Sequence, residues 1–312
     1  MKGSRRMLKK SILVVTSAHP AGWLNDGSDE LVRAMHGFKK VVEGKGAIQL
    51  DITTIDALRF TVDNDGVSIV DTYNDQDISY YDSVHFKNVA HYWDFAKAIA
   101  NYMHKQGKST FELVDEGMPD YGKLSQMVLF DLNGVAVPIT YAAWRLDDVV
   151  LMLKEQNTPF PWVIKSIKGI MGKDNYLVGS DADLVQIPVD GVQYIGQPFI
   201  PNDSDYRILY FGMNQDPLVF KKVSQGDSHL NNTSQGGQSY LVENDEFYPE
   251  VLAMAEKAAL LTKRLFAGVD AMENKETGEW VILEVNANPA LMTGAFVENK
   301  ADMYEQMITE EL

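Results

Sequence analysis

Short apolar runs alternate with stretches of helical spacing through the first hundred residues of this chain. Ile12 to Val15 reads as a buried strand leading into a loop rich in Gly, Asn and Asp. Ser28 to Val42 then carries Leu31, Met35, Phe38 and Val42 at the period of a helix, which opens an α/β unit. Ile48 to Ile55 alternates as a strand, and residues 60 to 78 place an Asp-Asn-Asp-Gly turn between β-formers. Ser83 to Phe86 predicts another strand and Trp93 to His104 a helix.

The turn cluster Met118-Pro119-Asp120-Tyr121-Gly122 predicts a boundary near residue 118. A helix is expected over Leu124 to Leu132, ending near Asn133-Gly134. After it come a strand (Val135 to Ile139), a helix (Asp147 to Gln156) and two strands (Trp162 to Ser166, Tyr176 to Val178) separated by a glycine-bearing loop. Gln193 to Ile200, Tyr206 to Phe211 and Leu218 to Val223 predict strands of a second sheet. A polar loop over Ser224 to Ser239 and a helix over Pro249 to Phe266 follow, the helix presenting Leu252, Ala255, Ala259 and Leu260.

A length of 312 residues suggests two or three compact units with real cores. The formal charge of −16 and a pI near 4.7 argue against broad binding of nucleic acid or anionic membrane. The absence of cysteine excludes disulfides, thiolate catalysis and cysteine metal sites. No run approaches the roughly 20 apolar residues that span a bilayer, and the basic start precedes only a short apolar run, so a soluble, cytoplasmic chain is expected. The six histidines form no His-x-x-x-His pair on a predicted helix and read as packed or surface residues, His229 lining the polar loop.

Chemistry concentrates near the end of the chain. In Val281-Ile-Leu-Glu284-Val285-Asn286-Ala-Asn288-Pro289, period-two alternation puts Glu284 and Asn286 on one face of a strand. A turn at Glu276-Thr-Gly278-Glu279 would bring Asp270, in Gly268-Val-Asp270, alongside Glu284. Two carboxylates and an amide oxygen suit magnesium, a hard cation that takes oxygen donors. The same alternation also fits the solvent face of an antiparallel strand.

Taken in order, these features resemble the ATP-grasp superfamily, most closely its RimK-like carboxylate–amine ligases, over roughly residues 119 to 299. The resemblance implies an α/β (α+β) ATP-grasp fold: two α+β subdomains clasp ATP, preceded by an N-terminal α/β domain of the pre-ATP-grasp type. The divisions it suggests are residues 1–118, 119–192 with a lid loop, and 193–312 with the metal site.

Residue by residue, Lys123 in Gly122-Lys123-Leu124 and Lys165 in Trp162-Val-Ile-Lys165-Ser resemble the two nucleotide-phosphate lysines. An ammonium on a half-buried strand needs an anionic partner, which makes Lys165 the more diagnostic; Lys123 alone also fits a surface lysine. Lys168-Gly169-Ile-Met-Gly172-Lys173 resembles the glycine-rich phosphate lid, with Lys173 as a nucleotide contact, although the same motif occurs in plain turns.

Gln197, Pro198, Phe199 and Ile200 resemble the hinge strand whose backbone carries adenine, with the donor at Ile200 and the carbonyl at Pro198; Pro198 stands where the family often has Glu. Asp205 and Arg207 resemble the Asp-x-Arg pair near the transferred phosphate, and equally fit a cross-strand ion pair. Asn232, Gly236 and Gly237 resemble an Asn-x-x-x-Gly-Gly segment, while Leu230, Asn231 and Gln235 replace its usual arginines. Asp270, Glu284 and Asn286 match the superfamily's ligands for magnesium, or manganese in its place.

The resemblance implies ATP-dependent amide formation through an acyl phosphate, releasing ADP and phosphate. Lys165, Arg207 and Asn232 are the catalytic candidates. The substrate would be a small amino acid or a peptide, and homo-oligomers are an analogy with the family. Two alternatives are a maturase that modifies a peptide or protein, and an ATP-binding module altered in turnover.

Overall fold

A computed structural model of the chain describes residues 9–20, 22–64, 66–89, 92–112, 122–167, 174–189, 191–212, 215–223, 238–264, 266–286 and 289–311. The first sheet is parallel, in the order β2 (Ile48–Thr54), β1 (Lys10–Thr16), β6 (Ser83–Lys87) and β7 (Ser109–Phe111). Both of its faces are covered, which is why β1 reads as a continuous apolar run rather than an alternating one. Ile12 and Val14 pack into one core, Leu13 and Val15 into another.

Helix α1 (Glu30–Lys45) lies on the first of these faces and α2 (Trp93–Lys105) on the second. Asp29 caps α1 by accepting the Leu31 and Val32 N–H groups at 2.8 and 3.1 Å, so the helix begins at Glu30 rather than at Ser28. The strands on either side of the expected turn, β3 (Leu58–Asp63) and β4 (Gly66–Asp71), pair antiparallel, and β5 (Gln76–Asp77) completes a small sheet.

A central antiparallel sheet has the order β10 (Asn175–Val178), β9 (Trp162–Ser166), β11 (Tyr194–Pro198) and β8 (Tyr141–Ala142). On β9, Trp162, Ile164 and Ser166 are buried against the side of α4 (Leu146–Glu155), leaving Val163 and Lys165 on the opposite face. Gly196 lets α4 lie this close, since a Cβ there would stand 2.7 Å from Val149 and 2.8 Å from Leu153.

The third sheet is antiparallel, in the order β14 (Gln238–Val242), β13 (Leu218–Val223), β12 (Asp205–Phe211), β15 (Phe266–Glu273) and β16 (Trp280–Asn286). One face, carrying Ile208, Tyr210, Val219, Val269 and Ala271, is covered by α3 (Lys123–Leu132) and α5 (Pro249–Leu261). The other face is split. At one end Leu209, Phe211, Phe220 and Phe266 join the core of the parallel sheet; at the other end the side chains are polar. The last helix, α6 (Val297–Glu311), returns to that same core and packs Tyr304 edge-on to Phe38 of α1.

Two expected elements differ. Val135 to Ile139 forms no strand: Val135 is buried, Ala136 gives its carbonyl to the Ile282 N–H at 2.8 Å, and Pro138 has no N–H for a ladder. Helix α5 stops at Leu261, where the Thr262 hydroxyl donates to the Ala259 carbonyl and Lys263 turns left-handed at φ 55°. Phe266 therefore opens β15, and the buried stripe of α5 runs through Val251, Ala255, Ala258 and Ala259 while Leu260 is exposed. Among the described residues no helix is long and apolar enough to cross a membrane.

Candidate active site

The polar end of the third sheet is assembled by register. Asp205 lies opposite Lys222, Arg207 opposite Asp270, and Asp270 opposite Glu284, with Asn286 two residues further along β16. The register shifts after Asp270, where Ala271 pairs with Ile282 and leaves Leu283 as the extra residue of a bulge. The bulge changes which face Ile282 uses. Ile282 and Val285, three residues apart, both enter the apolar core, while Glu284 and Asn286 share the Asp270 face.

Asp270, 5% exposed, is held from three sides. The Arg207 guanidinium donates through Nε to Oδ1 at 2.8 Å and through a terminal nitrogen to Oδ2 at 2.5 Å, a bidentate fork. Lys222 donates to Oδ1 at 3.1 Å and also stands 3.7 Å from Asp205. The Asn286 amide donates to Asp270 at 3.2 Å and to Glu284 at 3.1 Å, which turns its Oδ1 away from both carboxylates. Arg207 thus takes the cross-strand ion pair that its sequence position allowed.

Burial would raise the Asp270 carboxyl, but Arg207 and Lys222 outweigh it and hold it down at about 2. Burial likewise opposes the Arg207 charge, and Asp270, Glu284 and Asp205 restore it. The half-buried Lys165 on β9 faces this group from the central sheet. Burial lowers its ammonium below the usual lysine value, Glu284 and Asp205 draw it back up, and Lys123 pushes it down. Lys123 opens α3 directly after the cap residue Gly122. Lys123, Lys165, Asp205, Arg207, Asp270, Glu284 and Asn286 are therefore brought together.

Two residues of this group had no place in the sequence reading. Lys222 is buried between two aspartates. Gln126 of α3, 7% exposed, donates to the Val285 carbonyl at 3.0 Å and accepts the Val285 N–H at 2.7 Å. Both could have been found as polar side chains on faces whose neighbours, Phe220 and Met127 with Phe130, are apolar.

The hinge residues are tied differently. Gln197 is buried and donates to Thr140 at 2.8 Å, and the Phe199 N–H goes to the Pro161 carbonyl at 3.0 Å. Lys173 and Asn232, with Lys168 and the Ser224 to Gly237 stretch, lie outside the described residues.

Two carboxylates and an amide oxygen make a donor set that fits a hard divalent cation. Among the described residues no group of three or more histidine, aspartate or glutamate side chains is placed to hold a metal ion.

Comparison with known proteins bears on the fold and the family. A search of curated proteins by sequence finds no match. Similar solved structures include the ATP-grasp ligase PsnB complexed with precursor peptide PsnA2 and AMPPNP, at TM-score 0.66 and 14% identity over 98% of each chain. A Chryseobacterium gregarium RiPP-associated ATP-grasp ligase, in complex with ADP and a leader and core peptide, has TM-score 0.68 and 12% identity over 97% of each chain. D-alanine–D-alanine ligase from Bacillus anthracis, complexed with ATP, has TM-score 0.58 and 11% identity, covering 97% of this chain and 95% of that one. At these identities the likeness shows the fold. The model of the RimK-like ATP-grasp domain matches residues 121–310, more than half of the chain, and the protein belongs to that family.

Proposed function

We propose that the protein is an ATP-dependent carboxylate–amine ligase that forms an amide through an acyl phosphate. The observation that carries this reading is the convergence of Asp270, Glu284 and Asn286 with Arg207 and Lys222 on one face of the third sheet, faced by Lys165 of the central sheet. Oxygen donors and fixed cations side by side suit a metal-bound triphosphate better than they suit a neutral ligand.

Asp270 and Glu284 would hold the metal, with Asn286 as a third ligand once its amide turns its oxygen rather than its nitrogen toward them, and the bound metal would supply charge neutralisation to the phosphate oxygens. A substrate carboxylate oxygen attacks the γ-phosphorus, and the bond to the β–γ bridging oxygen breaks to release ADP. The amine then attacks the acyl carbon, and inorganic phosphate leaves with the former carboxylate oxygen while the amine nitrogen loses a proton. Arg207 and Lys165 offset the charge that moves onto the transferred group, with Lys123 beside them. The Pro198 carbonyl and Ile200 N–H are assigned to adenine by family resemblance, and the neighbouring Phe199 N–H is turned to Pro161. Lys173 and Asn232 are assigned to the phosphate lid and the substrate loop by family resemblance.

A peptide is the favoured substrate class. Its support is the likeness over nearly the full chain to PsnB and the RiPP-associated ligase, both solved in complex with peptides. The test is ADP release from MgATP by wild type and Glu284→Ala, with pools of amino acids and peptides, and mass spectrometry for products of dehydration. A Glu284-dependent amide product supports the ligase; nucleotide bound without turnover in every pool counts against it.

A further inference from the structure

The strand that carries Glu284 and Asn286 is followed by a short segment, Pro289 to Thr293, which is held by two lysines far apart in the sequence. Pro289 is buried and packs on Gly268, the residue paired with Asn286; a Cβ on Gly268 would stand 2.8 Å from the Pro289 Cβ. Lys87, the last residue of β6 in the parallel sheet, donates to the Pro289 carbonyl at 3.1 Å and lies over the Phe266 ring. Lys300, in α6 and only 3% exposed, donates to the Ala290 carbonyl at 2.9 Å and the Thr293 carbonyl at 2.5 Å. Leu291 and Met292 between these carbonyls are buried in the core shared by the parallel sheet and α6.

Burying an ammonium is costly, and an aliphatic side chain would fill the same space without that cost. Burial pushes both lysines down to about 8, the expense of keeping them there. What lysine offers in return is donors aimed at carbonyls that no helix or sheet satisfies.

We infer that Lys87 and Lys300 are positioning residues, a two-point clamp that immobilises Pro289 to Thr293 and thereby fixes the Asn286 end of β16 for turnover. This rests on the reading of the site as a ligase. The clamp joins the site to the parallel sheet through β6 and to the last helix through α6. Neither lysine touches Glu284 or Asn286; each acts through the backbone between them and the core.

The test uses the full chain as Lys300→Met, Lys87→Met, the double variant and, should Lys300→Met fold poorly, Lys300→Gln. Amide hydrogen exchange at 291–296 should speed up in each single variant, while exchange along β1 stays at the wild-type rate. Steady-state ligation should lose roughly 10-fold to 100-fold in kcat, the range for partners that orient site ligands, with the KM for MgATP moved far less. The double variant should resemble the worse single one, because both lysines hold one segment. Unchanged exchange at 291–296 overturns the clamp, and faster exchange with wild-type kcat overturns its part in turnover. If wild type ligates nothing, the ligase reading fails, and with it the role in turnover, while the exchange data still judge the clamp.

Discussion

The side-chain amide of Gln126 closes a two-way bridge with the backbone of Val285, accepting its N–H at 2.7 Å and donating to its carbonyl at 3.0 Å. Val285 lies between Glu284 and Asn286, so α3 holds the strand at the point where both candidate ligands leave it. Gln126→Leu strips two buried backbone groups of their partner, at a cost of about 1–3 kcal/mol for each group left unsatisfied. A lower urea midpoint together with weaker binding of MgATP is expected. A wild-type midpoint would remove Gln126 from the account.

Arg207 and Lys222 hold one carboxylate by different means. Arg207→Lys keeps the charge but loses the fork on Asp270, so it should not restore activity, and kcat should fall about 100-fold as for a lost transition-state donor. Lys222→Met leaves Asp270 with a single cation and should cost stability first, about 3–5 kcal/mol for a broken buried pair. Denaturation curves and steady-state rates for the two variants separate these effects. A Lys222→Met protein as stable as wild type would contradict the buried position of Lys222.

Acid should expose the Asp270 contribution. Burial raises this carboxyl and its two cations more than reverse that, so its folded value of about 2 lies below the ordinary 3.8. A depressed acid contributes stability that is complete above the unfolded value and is lost as pH falls through the folded one. The window is therefore between about pH 4 and pH 2. Wild-type stability should drop across it relative to its own value at neutral pH, and Asp270→Asn, less stable throughout, should show a shallower drop. Parallel curves would mean that Asp270 does not titrate in this way.

Gly268 admits no side chain at its place. A methyl there meets the Pro289 Cβ at 2.8 Å and the Leu209 Cδ2 at 3.2 Å, so either the segment after β16 or the core must shift. Gly268→Ala should destabilise by about 1–3 kcal/mol, the usual cost of overpacking, and should reduce turnover as well. Gly44→Ala, with open space around its Cβ on α1, is the matched control and should be neutral or slightly stabilising.

Much of this architecture was legible from local pattern. The strands Trp162–Ser166 and Leu218–Val223 appear as read, because alternation and flanking turns fix both ends. The pairing of Asp270 with Glu284 was legible because one short turn joins the two strands. What stayed hidden depends on partners far apart in sequence. The bulge at Leu283 answers to the fit of two strands, and the burial of Lys222 answers to aspartates on neighbouring strands. Val135 to Ile139 has strand composition but finds a single backbone partner in β16, and Leu260 follows a helical stripe that turns toward Ala258 instead.

The return of α6 to the first sheet has a consequence for synthesis of the chain. Phe38, Val42 and Ile12 have their cover completed by Tyr304, Met307 and Ile308, which the ribosome makes long after them. Until then the nascent N-terminal unit carries an open apolar face, a surface that invites chaperones and self-association. A stop codon ahead of residue 297 should therefore yield an insoluble or rapidly degraded product rather than a shortened enzyme.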